Sequence, residues 1–102
     1  MKDATRSDIH SREDFRRVLA ETLELVRRLA TRTPGFPPYE NIIQQLEAVS
    51  AWTASGKTPT QDQRSSIDVG LVAARELDEI PAPDVKDLAN RIHAISYYFD
   101  NL

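Results

Sequence analysis

The chain contains no cysteine. That excludes disulfides and thiolate metal sites, and it is compatible with a reducing compartment. Glycine is scarce: there are three, each standing alone, so neither a Gly-x-Gly-x-x-Gly turn nor a P-loop is available to cradle a phosphate. Apolar runs are short, far below the roughly 20 residues that span a bilayer. The opening stretch from Met1 to Ser11 is polar and lacks the apolar centre of a secretory signal. These absences predict a soluble, cytoplasmic protein with no membrane partner.

Histidine is nearly as scarce, with His10 and His93 alone. No His-x-x-x-His pair suggests zinc, and no Glu-x-x-His motif suggests a di-iron bundle. His93 has no carboxylate three or four residues away on either side, and His10 has only Asp14 in a tail expected to fray. No serine sits in a Gly-x-Ser-x-Gly elbow. The sequence therefore predicts no catalytic residue, no metal and no cofactor. A protein that lacks chemistry of its own is expected to work by binding.

What the chain does have is length for one core, regular punctuation and uneven charge. At 102 residues it is one domain, able to bury roughly two thirds of the surface its unfolded form exposes. All six prolines fall in three breaks: Pro34 with Pro37 and Pro38, then Pro59, then Pro81 and Pro83. Proline removes a backbone donor and clashes with the preceding turn, so the breaks are connections and the stretches between are free to be helices. Net charge is −3, but residues 1–33 carry eight basic and six acidic side chains while residues 34–102 carry five and ten. An acidic excess of that kind disfavours nucleic acid and suits either a basic protein partner or simple solubility.

Four helices follow. The first is expected over residues 12–31, capped by Ser11 with Asp14 as the reciprocal acid. Its stripe is Phe15, Val18, Leu19, Thr22, Val26 and Leu29, broadened by Leu23 and Leu25. The second is expected over residues 38–54, with Pro38 at the first helical position and Tyr39, Ile42, Ile43, Leu46 and Val49 inward. The third is expected to start with Thr58 as cap, Pro59 at N1 and Gln61 at N3. Its predicted inner face is Ile67, Gly70, Leu71, Ala74 and Leu77, with Gly70 and Ala74 admitting a close neighbour. The fourth is expected from about residue 83 to 100, with Val85, Leu88, Ala89, Ile92, Ile95, Phe99 and Leu102 in helical register. The predicted fold class is all-α: a compact antiparallel bundle of four helices over residues 12–102, behind a flexible tail of residues 1–11.

Two surface features stand out as candidates for a partner. Trp52, near the end of the second helix and off its stripe, has the chemistry of an interface anchor; the plainer alternative is a rim residue covering the end of the core. Glu76, Asp78 and Glu79 crowd the end of the third helix, where negative charge opposes the helix dipole; the plainer alternative is a solvated helix end. Tyr39, Glu40, Gln44 and Glu47 join them as candidates from the second helix, Gln44 and Glu47 lying together beside the apolar stripe.

The run Ile67-Asp68-Val69-Gly70-Leu71-Val72-Ala73-Ala74-Arg75-Glu76-Leu77-Asp78-Glu79 resembles a helix of the immunity proteins that protect bacteria from type VI secretion toxins of the NAD(P)-glycohydrolase kind. Pro34-Gly35-Phe36, Gln45-Leu46, Pro83-Asp84-Val85 and Tyr97-Tyr98 fall in the same order, so the likeness spans residues 25–99. Pro37-Pro38 and the stretch before residue 12 stand outside it. The resemblance implies a non-catalytic antitoxin that binds a cognate toxin domain and occludes its active site. Toxins that bind anionic nucleotides tend to have a basic cleft, toward which an acidic face would be steered. The free protein is expected as a monomer or a homodimer. A second possibility is a small helix-turn-helix or accessory transcription regulator. It is disfavoured because the would-be recognition helix carries Asp62, Asp68, Glu76, Asp78 and Glu79 against Arg64 and Arg75 only, a balance that phosphate would repel.

Overall fold

A computed structural model describes residues 9–102 of the chain. The first eight residues, most of the expected tail, lie outside the described residues. Ile9 is buried against the core, and the His10 backbone N–H donates to Asp14 Oδ2 at 3.0 Å.

The described residues form five α-helices and no strand: α1 (Arg12–Arg32), α2 (Pro37–Trp52), α3 (Gln61–Ser65), α4 (Val69–Glu76) and α5 (Pro83–Asp100). The four longer helices form the bundle. α1 packs on α2 and α5, and α4 completes the ring by packing on α5 and α2. One end of the bundle is built from the links at residues 33–36 and 77–82. The other carries residues 53–60 and α3.

The predicted stripe of α1 is buried throughout, and Leu23 and Leu25 join it, as expected of a helix with two neighbours. Ser11 Oγ accepts the Asp14 N–H at 3.1 Å, a cap worth about 1 kcal/mol. Asp14 does not return the bond to Ser11; its shorter side chain accepts from His10 and meets Arg17 at 3.2 Å. α2 begins one residue earlier than predicted, with Pro37 as its first residue, and ends two earlier at Trp52. The stop comes before Gly56 because Thr53, buried, turns its hydroxyl back on the Val49 carbonyl and accepts Arg16 Nη1 at 2.8 Å.

The third predicted helix divides into α3 and α4, and two expectations are corrected with it. The cap is Thr60, not Thr58: Thr60 Oγ1 accepts the Gln63 N–H and Gln63 Oε1 accepts the Thr60 N–H. The Thr-x-x-Gln pattern occurs twice in succession, and the second copy is used. Thr58 is engaged elsewhere, its hydroxyl accepting from Arg12 at 3.3 Å. The inward face of α4 is Val69, Val72, Ala73 and, just beyond it, Leu77, whereas Leu71 is 54% exposed and Ala74 is exposed. The break at residues 66–68 resets the helical phase, so a stripe counted continuously from Ile67 comes out about one residue off. Gly70 does admit a close neighbour: a Cβ there would lie 2.9 Å from Ser96 Oγ and 3.2 Å from Ser96 Cβ on α5.

α5 runs as predicted over Pro83–Asp100 with its stripe buried from Val85 to Phe99, whereas Leu102 lies beyond the helix and is half-buried against the core. Tyr98 covers the start of α1 by stacking on Phe15, ring centroids 5.0 Å apart. Among the described residues no helix is long and apolar enough to cross a membrane.

Candidate functional site

The end of the bundle where α2 and α5 begin and α1 and α4 stop collects most of the predicted partner-facing residues. Phe36 leads into α2, with Gly35 before it at φ +91°, a backbone setting that glycine adopts without a side-chain clash. The Phe36 ring meets Tyr39 edge-on, centroids 4.8 Å apart. Tyr39, 4% exposed, is thus part of the body and holds Phe36 in place. Burial pushes its phenol above the usual range, and the nearby Asp84 carboxylate adds to the effect. Asp84 is itself held below the usual carboxylate range by its hydrogen bond from Arg32, an ion pair that ties the end of α1 to the start of α5.

Phe36 and Pro37 form a ridge between two depressions. On one side a hollow of about 200 Å³ is bounded by Ala30, Thr33, Pro34, Gly35 and Glu40. On the other an open groove of about 480 Å³ runs between α2 and α4, lined by Pro38, Asn41, Val72, Arg75 and Glu76. Antiparallel pairing produces this groove. Gln45 clasps the start of α4 further along α2, and the two helices part toward the start of α2.

The predicted residues divide by position. Glu40 and Glu76 border the two depressions and are exposed without an ion pair among the described residues. Glu79 is likewise exposed and unpaired in the adjoining turn. Asp78 is drawn to α5, its Oδ1 lying 3.5 Å from His93 Nε2. His93 therefore does have a carboxylate neighbour, one that arrives from another helix and is invisible to spacing along the chain. Gln44 is exposed on the outer face of α2, and Glu47 pairs across to Arg27 on α1. Trp52 sits at the opposite end of α2, half-buried and packed against the core. Thirteen residues separate it from Tyr39, about 20 Å along the helix axis.

The sequence candidates omit Phe36, Pro37, Pro38, Asn41, Val72 and Arg75. A signal for the first three is an aromatic followed by two prolines: stiff, apolar and placed in a loop. Nothing in the sequence pairs Asn41 with Arg75, because their nearness depends on how α2 and α4 cross.

No curated protein and no solved structure matches the chain. The family profile described as Tsi6 matches residues 15–101, which takes in all of the bundle but the first three residues of α1. The chain thus belongs to the Tsi6 family, a family of type VI secretion immunity proteins.

Proposed function

We propose that this chain binds the toxin domain delivered by its own type VI secretion system, covers that domain's active site and so protects the producing cell. The target is a toxin that consumes NAD or NADP, as the likeness of residues 67–79 to antitoxins of that kind implies. The contact centres on Glu40, Glu76, Asp78 and Glu79 at one end of the bundle, with Gln44 and Glu47 extending it along α2. The observation that carries this reading is the exposure of Glu40 and Glu76, without ion pairs among the described residues, at the edges of two partly apolar depressions, with exposed Glu79 three residues beyond Glu76. Unpaired carboxylates cost little in water, where solvent screens them, and become useful against a basic cleft, where they raise the rate of encounter. The neighbouring apolar surface supplies area that water gives up on contact.

The test is association of this chain with its purified cognate toxin domain. Charge reversal at Glu76 and Asp78 together is expected to slow association at least tenfold at low salt and to weaken protection when toxin and chain are co-expressed. Unchanged association and protection would remove the acidic end from the contact.

A further inference from the structure

The groove between the start of α2 and the end of α4 has a chemistry that points to its occupant. An ordinary helix start offers free N–H groups and attracts anions. Here the first two helical residues are Pro37 and Pro38, which have no N–H, and the Tyr39 N–H is turned onto the Phe36 carbonyl at 3.1 Å. The start of the α2 wall is therefore hydrocarbon, made of the proline rings and the Phe36 ring, with the Asn41 amide one turn further along. It is also stiff: the proline rings are fixed, and Phe36 is braced edge-on by buried Tyr39. A surface already rigid loses little entropy on binding. Opposite it, Arg75 and Glu76 stand without ion pairs among the described residues, and unpaired Glu40 lies just across the Phe36–Pro37 ridge.

We infer that this groove receives an apolar side chain of the toxin domain that is flanked by a lysine or arginine. The apolar side chain lies against Phe36, Pro37, Pro38 and Val72, and the cation meets Glu76. The groove is open, and its volume of about 480 Å³ leaves room for a large side chain and its neighbour. The charge around it favours a cation, with Glu76 and Glu40 against the single guanidinium of Arg75, whose stem can lie along the wall while its head stays in water. The inference rests on the toxin-binding reading above and adds to it a location and a partner chemistry.

The experiment measures Kd between the full chain and its purified cognate toxin domain, for wild type, Asn41→Arg, Glu76→Arg and the control Glu24→Arg on the exposed face of α1. Thermal melts of each variant confirm that it folds. Asn41→Arg fills the groove and places a like charge where the cation is expected, so Kd should rise at least tenfold. Glu76→Arg should do the same, and Glu24→Arg should stay within about twofold of wild type. Wild-type binding with Asn41→Arg unaffected would overturn the groove, even if Glu76→Arg weakens binding, since charge steering alone accounts for that result. Failure of wild type to bind the toxin domain would overturn the underlying function instead.

Discussion

Gln45 on α2 holds Asp68 at the start of α4 by two hydrogen bonds. The Asp68 backbone N–H donates to Gln45 Oε1 at 2.9 Å, and Gln45 Nε2 donates to Asp68 Oδ1 at 2.7 Å. Asp68 precedes α4 where a cap would sit, yet its side chain makes no capping bond because Gln45 has claimed it. This clasp fixes where α4 begins and closes one end of the α2–α4 seam, leaving the other end open as the groove.

Replacing Gln45 with alanine removes both bonds, together with the one Gln45 Nε2 donates to Asn41 Oδ1 at 2.8 Å, and is expected to cost about 1–2 kcal/mol in urea unfolding. Gln45→Glu sets a carboxylate against the Asp68 carboxylate and should be worse at pH 7 than at pH 4, where protonation lets one acid donate to the other. Equal stability of Gln45→Glu at the two pH values, relative to wild type, would mean that the clasp does not hold α4.

Gly70 meets Ser96 where α4 crosses α5. Alanine in an open helical position is favoured over glycine by up to about 1 kcal/mol. At Gly70 the added Cβ would lie 2.9 Å from Ser96 Oγ and 3.2 Å from Ser96 Cβ. The hydroxyl can rotate away but the Cβ cannot, so the helices must shift, at about 1–3 kcal/mol for overpacking. Gly70→Ala is thus expected to lower the melting temperature, and a rise would contradict the close approach.

The Arg32–Asp84 pair makes stability depend on pH. Arg32 lowers the Asp84 pKa in the folded chain. Its contribution is therefore present above the unfolded carboxylate value near pH 4 and is lost as pH falls through the lower folded value. Asp84→Asn should be less stable than wild type at pH 7, with the difference closing as pH falls below the ordinary carboxylate value. At the alkaline side the sign is set by Tyr39, whose phenol is raised by burial. Stability should fall above about pH 10, where the unfolded chain ionises first, and Tyr39→Phe should fall less steeply. Thermal melts across pH check both.

Trp52 lies half-buried on the core at the far end of α2. Trp52→Ala is expected to destabilise the fold by about 2–4 kcal/mol, measured by urea unfolding. A variant that melts like wild type but loses the toxin domain would move the contact to that end of the bundle.

Much of this architecture is legible in the chain. Phe15 through Leu29 and Val85 through Phe99 declare their buried faces because long helices repeat the 3.6-residue period often enough to fix its phase. The region between Thr58 and Leu77 is less legible for the same reason. α3 spans five residues and α4 eight, each too short to set its own phase, and the break is set by Gln45, which lies on another helix. The candidate site divides similarly. Glu40 and Glu76 can be picked as exposed acids from their positions along their helices. The pairing of Asp78 with His93, and the groove that brings Asn41 near Arg75, exist only once α2, α4 and α5 have packed.

The central claim is that this chain silences a toxin by binding it, one molecule to one. The direct measurement is titration of the chain into a fixed amount of the toxin domain while NAD consumption is followed. Toxin-binding predicts a linear fall that reaches zero at one equivalent, with no NAD consumed by the chain alone. Full toxin activity at several equivalents would contradict it.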